Sequence, residues 1–274
     1  MSKKEALLVV SFGTSHQETR EKTIGQIERV ISKAYPNREL RRAFTSSIIM
    51  RVLKKRDQLH VDNVTEALER LAADGFTDVL IQPTHIINGD EYEKMMGQIE
   101  PFIEQFETIA VGRALLTSSE DYDLVCRAIM AEVPELDGTS GGQQAENTAL
   151  VLMGHGTGHF CDAAYAALDY RFKSLGYGNV FVGTVEGYPD VERVLELVRL
   201  YGPQQVVLMP FMVVAGDHAV NDMAGEEEDS WKIIFQQAGY DVSCILRGIG
   251  EFPGIQQLYL DHASTCEPLG QEME

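Results

Sequence analysis

The chain has 274 residues, 24 of them Gly and 9 Pro, with 44% hydrophobic and 24% charged side chains. That composition excludes disordered, collagen-like and coiled-coil proteins and leaves a globular one, long enough for two lobes that each bury a core. Against 23 Lys and Arg stand 42 Asp and Glu, a formal charge of −19, so the surface field repels phosphate backbones and anionic lipid, and neither nucleic acid nor a membrane is expected as a partner.

Lys3 and Lys4 followed by the apolar run 6–10 begin like an export signal, but the run is short and leads into Ser11-Phe12-Gly13-Thr14 with no small-residue cleavage pattern. It reads as a first strand, and the protein as cytoplasmic. Ile24, Ile27 and Ile31 follow at helical spacing, as do Val64, Leu68 and Leu71. Between them, Arg41, Arg42, Arg51, Lys54, Lys55 and Arg56 fall in a stretch without Asp or Glu. A strand is expected at 79–83, ending in Pro83 and leading to Gly89-Asp90-Glu91.

The stretch 137–148 is rich in turn formers and lacks apolar periodicity, which marks a linker between lobes 1–136 and 149–274. A strand at 149–153 then runs into Gly154-His155-Gly156-Thr157-Gly158-His159, and a strand at 179–182 precedes Glu186. Val191, Val194, Leu195 and Val198 form a helical face, and a strand ending in Pro210 precedes Gly216-Asp217-His218. Cys126, Cys161, Cys244 and Cys266 have no paired spacing, which fits a reducing compartment, and no apolar run is long enough to span a membrane.

The halves repeat one plan. The run ending in Ser11-Phe12-Gly13-Thr14 is echoed by the one ending in Gly154-His155-Gly156-Thr157, and the Pro83-to-Gly89 spacing returns as Pro210 to Gly216. Apolar strands alternating with amphipathic helices predict an α/β protein of two similar lobes, each a parallel sheet flanked by helices. Ligands of such sheets sit beyond the carboxyl ends of the strands, here in a cleft between the lobes. Those ends carry Phe12, Thr14 and Ser15 in the first lobe and His155, Gly156, His159, Glu186 and His218 in the second.

His155, Glu186 and His218 come from three separate strand ends. Two imidazoles and a carboxylate suit Co(II), Ni(II), Fe(II) or Zn(II), and three protein ligands leave positions open for chemistry. His159 has the i, i+4 spacing of a metal pair, but the glycines around it oppose a helix, so it ranks behind the other two. No phosphate-loop pattern is met, and Gly154-His155-Gly156 puts His where a nucleophile elbow would put Ser. Glu91 holds the repeat position of His218, either as a proton acceptor facing the same cleft or as a solvated acid at a helix start. The basic stretch 41–56 reads equally as a focus for a polycarboxylate ligand and as a helix face paired with the acidic body.

The segments LLVVSFGTS (7–15), Phe44-Thr45-Ser46, HIINGDEYEKM (85–95), Met153-Gly154-His155-Gly156, Val185-Glu186-Gly187-Tyr188-Pro189, MPFMVVAGDHAVNDM (209–223) and Asp229-Ser230-Trp231-Lys232 occur in order over nearly the whole chain. Together they resemble the class II chelatases related to ferrochelatase, and among these the anaerobic cobalt chelatases of cobalamin biosynthesis. The long AGDHAVNDM run is the specific element. The resemblance implies a two-lobed chelatase fold holding a tetrapyrrole, metal bound by His155 and His218 with a carboxylate at Glu186 or Glu91, and ATP-independent insertion of Co(II) into sirohydrochlorin. Cobalt is then a substrate, with Fe(II), Ni(II) or Zn(II) accepted in vitro, and no cofactor is permanently bound. Arg51 and Arg56 are expected to meet the substrate's acetate and propionate groups. Some relatives bind haem through a histidine in a helix of the first lobe; the stretch 92–106 contains none, so no haem is expected. A homo-oligomer is compatible with the sequence. Fe(II) insertion toward sirohaem, a non-catalytic metal carrier, and a two-lobed small-ligand binding protein with structural histidines are the rival readings.

Overall fold

The computed structural model describes residues 3–137 and 147–270, and the linker expected at 137–148 lies almost wholly outside them. Two four-stranded sheets, both parallel throughout, organise the chain. The first comprises β1 (Glu5–Ser11), β2 (Glu39–Phe44), β3 (Asp78–Pro83) and β4 (Thr108–Val111) in the order β2-β1-β3-β4. The second comprises β5 (Thr148–Gly154), β6 (Val180–Thr184), β7 (Gln205–Pro210) and β8 (Asp241–Cys244) in the order β6-β5-β7-β8. The repeat expected from the sequence is therefore a repeat of topology, with β1 matching β5 and β3 matching β7. Residues 6–11 of β1 and every residue of β5 are buried, as central strands covered on both faces must be.

The covering helices are α1 (Gln17–Lys22), α2 (Ile24–Ala34), α3 (Ser47–Arg56), α4 (Val64–Ala73), α5 (Asp90–Ile99), α6 (Ser119–Met130), α7 (Ala163–Ser174), α8 (Val191–Tyr201), α9 (Trp231–Gln237) and α10 (Pro253–Ser264). Ile24, Ile27 and Ile31 of α2 and Val64, Leu68 and Leu71 of α4 are buried, as their spacing predicts. Asn63 and Glu66 form a reciprocal capping box at the start of α4. Asp190 accepts the Arg193 N–H to start α8, and Gly202, with φ +77°, ends it in the left-handed region. No helix among the described residues is long and apolar enough to cross a membrane. No disulfide joins the four cysteines, and burial pushes the Cys126 thiol up to about 12.

The packing divides elsewhere than the expected boundary at 136. One compact unit is Met1–Thr117 with Gln256–Glu274, and the other is Ser118–Ile255. α6 packs beside α7 in the second unit, burying Val125, Cys126, Ile129 and Met130, and Asp123 pairs with Arg171 there. The chain end belongs to the first unit: the Tyr259 hydroxyl donates to the Thr84 carbonyl at 2.9 Å and the Leu269 N–H to the Ile109 carbonyl at 2.8 Å. The repeat locates strands, but it carries no information on which core a connecting helix joins. β6 begins at Val180, one residue later than expected, and the Asn179 side-chain amide donates to the carbonyls of Leu136 and Thr148 at 2.9 and 3.3 Å.

The basic stretch resolves into two parts. On β2, Arg42 makes a paired contact with the buried Glu28 at 2.6 and 2.5 Å, and Arg41 pairs with Glu39 and Asp74. On α3, Arg51, Lys54 and Lys55 are exposed and form no ion pair among the described residues.

Tyr259 is fully buried, and its hydrogen bond is a polar tie between α10 and the end of β3. Tyr259→Phe should lower the denaturation free energy by about 1 kcal/mol, read from chemical denaturation of the intact chain, since one buried donor is removed while the ring packing is kept.

Candidate functional site

β5 is paired with β6 through Gly154 and Thr184 and with β7 through Met153 and Pro210. All three strands run the same way, so their carboxyl ends open on one edge of the sheet. The ladder continues past the strands: Val185 N–H donates to the Gly154 carbonyl at 3.0 Å, Glu186 N–H to the His155 carbonyl at 2.8 Å, and Phe211 N–H to the Met153 carbonyl at 2.8 Å. His155 follows β5 directly, Glu186 stands two residues after β6, and His218 immediately precedes the π-helical turn Ala219–Met223 after β7.

These three side chains, chosen from the sequence, are brought together. One potential ligand atom of each lies within 4.8 Å of the others. The imidazole rings of His155 and His218 meet edge to face, 4.8 Å between centroids, and His155 Nδ1 is 3.9 Å from Glu186 Oε2. The side chains of His155, Glu186 and His218 are 44%, 57% and 37% exposed, so further ligands have access.

Each imidazole is held through its other nitrogen. His155 Nδ1 lies 2.8 Å from the Gly156 carbonyl and His218 Nδ1 lies 2.5 Å from Asp222 Oδ2. Both partners accept, so each Nδ1 is the donor, and in a neutral ring that leaves Nε2 as the nitrogen with a lone pair. Asp222 was not singled out from the sequence. Its signal there is the i, i+4 spacing from His218, which one turn of helical backbone makes a contact. Gly156 is required where it stands: its φ is +80°, and a Cβ there would come within 2.5 Å of the Gly187 nitrogen.

The other expected site residues are distributed differently. Phe12 is 49% exposed, whereas Thr14 and Ser15 are buried. The Arg20 guanidinium donates to the Thr14 carbonyl at 3.3 Å, Arg56 donates to the Ser15 carbonyl, and Thr14 Oγ1 accepts the His16 N–H at 3.2 Å. Thr14 and Ser15 thus serve to shape the loop after β1, and Arg56, also paired with Asp57, has less of its guanidinium to offer a ligand than Arg51. His159 is outside the group; its Nδ1 accepts the Cys161 N–H at 3.3 Å and its ring packs on Phe160. Glu91, in the first turn of α5, belongs to the other compact unit. Its Oε1 is 3.6 Å from Lys94 Nζ, and its Oε2 is buried without a hydrogen-bond partner.

His60, Asp62 and Glu66 form a second cluster of possible ligands. The Arg70 guanidinium lies 3.2 Å from both His60 Nε2 and Asp62 Oδ1, and Glu66 is engaged in the α4 capping box, so a cation's place there is already taken.

His85 opens the segment 85–95, and its sequence context assigns it no role. Both ring nitrogens are buried without a partner, the ring sits edge-on to Tyr92, and burial lowers its pKa from 6.5 to about 4. The unfolded chain binds a proton at His85 at higher pH than the folded chain does, so stability is lost as pH falls from about 6.5 toward 4. His85→Gln should flatten the dependence of the denaturation free energy on pH in that window, by at most about 3 kcal/mol across it.

A family model described as Cobalt chelatase (CbiK) matches residues 5–267. The sirohydrochlorin cobaltochelatase of Salmonella typhimurium is 44% identical over 259 residues, 94% of this chain and 95% of its own. Sirohydrochlorin cobaltochelatase CbiKC of Nitratidesulfovibrio vulgaris is 31% identical over 265 residues, 96% of this chain and 90% of its own. The solved structure of SirB from Bacillus subtilis with Fe3+ aligns over 95% of this chain and 94% of its own with a TM-score of 0.63; at 15% identity the likeness is one of fold.

Proposed function

The chain belongs to the cobalt chelatase family, and from that membership we propose that it inserts Co(II) into sirohydrochlorin, without ATP, in anaerobic cobalamin biosynthesis. The observation that carries the reading is the agreement of two relatives named sirohydrochlorin cobaltochelatase, matched nearly end to end, with a solvent-open group of two imidazoles and one carboxylate. Those names favour cobalt over iron.

His155, Glu186 and His218 hold the ion as substrate, each imidazole through Nε2, and leave coordination positions for the pyrrole nitrogens. As the four pyrrole nitrogens bond to the metal, the three protein ligands and any bound water let go. Two pyrrole N–H protons leave, the macrocycle takes on two negative charges, and the metal remains divalent. Glu91 is the proposed acceptor, taking the two protons in turn and passing each to solvent, supported by its buried, unpartnered Oε2 and by its position after β3, equivalent to that of His218 after β7. His159 is the reserve. The driving force is metal–nitrogen bond formation, so no nucleotide and no resident cofactor is required. Arg51 with Lys54 and Lys55 supplies the unneutralised positive charge that attracts the substrate's carboxylates.

Absorbance-monitored insertion into sirohydrochlorin, run anaerobically with Co(II) and separately with Fe(II), tests the reading. The native chain should turn over many times with Co(II), and His155→Ala and His218→Ala should each lose at least about 100-fold in rate; tight metal binding without turnover would instead make the chain a carrier. Glu91→Gln should slow insertion about 100-fold while leaving Co(II) affinity nearly unchanged, and equal loss of both would identify Glu91 as a ligand. Added salt should raise the apparent substrate constant, and a flat response would remove the electrostatic role of α3.

A further inference from the structure

The loop after β5 carries His155 and the loop after β6 carries Glu186, and a single carboxylate bridges the two. Asp162 Oδ1 accepts the Thr157 N–H at 3.0 Å, and Asp162 Oδ2 accepts the Tyr188 N–H at 2.7 Å. The carboxylate lies so close over Gly187 that a Cβ there would come within 2.3 Å of Oδ1 and 2.6 Å of Oδ2. Gly156 also meets the Gly187 backbone, where a Cβ on Gly156 would be 2.5 Å from the Gly187 nitrogen. Neither loop has room for a side chain at the point where the two touch. Asp162 stands at the N-terminus of α7, yet its side chain makes no capping bond to that helix. Its acceptor capacity goes to the two loops.

We infer that Asp162 is a positioning residue that sets the separation of His155 and Glu186 by clamping their loops together through the Thr157 and Tyr188 amides. The inference rests on the reading of His155, Glu186 and His218 as the holders of the metal. A carboxylate suits this place because both its oxygens only accept, so it satisfies two N–H groups at once. An amide of the same shape would turn its NH2 toward one of them. The clamp leaves the charge on the ligands unchanged and acts on their spacing alone. The Glu186 N–H bond to the His155 carbonyl at 2.8 Å already ties the loops beside the strands, and Asp162 adds a second tie further out, where loop segments without one open at little cost.

The test compares native protein with Asp162→Asn, Gly187→Ala and His155→Ala. Asn starts a helix as well as Asp does, so a role confined to α7 predicts native behaviour from Asp162→Asn. Gly187→Ala pushes the carboxylate away from the opposite loop and should reproduce the same defect in a chain whose Asp162 is intact. Hydrogen exchange of the Thr157 and Tyr188 amides, measured on metal-free protein, should be faster in Asp162→Asn, with denaturation still cooperative. Co(II) affinity should fall roughly 10- to 100-fold in both variants, with altered visible bands of the bound ion. Native affinity and native bands in Asp162→Asn and Gly187→Ala, with binding lost in His155→Ala, would overturn the clamp and leave the metal reading standing. Amides as protected in Asp162→Asn as in the native chain would overturn it whatever the metal does. Native affinity in His155→Ala would sink the metal reading itself, and the inference with it.

Discussion

Because β5 is paired in parallel with β6 on one side and β7 on the other, three consecutive chain reversals are forced to occur at one edge of the sheet. Each reversal delivers one polar side chain there, and the rest of the site follows from how tightly the reversals are held. The hydrogen bond from Glu186 N–H to the His155 carbonyl extends the β5–β6 ladder beyond the strands, so two of the three groups share a backbone register. His218 enters from a turn of helix, and there a side chain takes over the work of the ladder, with Asp222 fixing the ring. An antiparallel sheet would have sent one of the three ends to the opposite edge.

What the sequence could disclose was what repeats. Both echoes name strands in equivalent places, and the Pro-to-Gly spacing marks where β3 and β7 stop and a candidate site residue follows. Interior strands and amphipathic helices are readable because burial dictates their composition. Of the four edge strands, β6 is fully buried and was readable, whereas β2, β4 and β8 gave little signal; β2, written ELRRAF, reads as charge until Arg42 is seen on Glu28. The assignment of α6 to the second unit and of the chain end to the first was not legible, since a local pattern does not say which core a helix covers. Asp162 and Asp222 were hidden for a related reason: an exposed-looking acid becomes informative only when the N–H or imidazole it serves is known.

Charge is organised by locality. The net charge of −19 describes a surface that repels anions, while α3 keeps three exposed basic residues out of any ion pair among the described residues. Arg41, Arg42 and Arg56 lie in the same run of sequence but are spent on Glu39 and Asp74, on Glu28, and on Asp57 with the Ser15 carbonyl. A run of like charge is therefore a weak guide to a binding face until partners are subtracted.

The same logic bears on how a chelatase holds a metal it must surrender. In the proposed ligand set, two imidazoles and one carboxylate would leave a bound divalent ion with net positive charge and unfilled coordination, a condition that favours transfer to four pyrrole nitrogens. Further carboxylates at the metal would tighten the hold and slow release. Asp162 and Asp222 do not enlarge the set: one bonds the backbone of two loops and the other the remote nitrogen of His218. Acids placed behind the proposed ligands would fix geometry before the ion arrives while keeping the number of bonds that must break small. Weak retention and a well-defined site are thus compatible, since affinity is set mainly by what touches the metal and order by what touches the ligands.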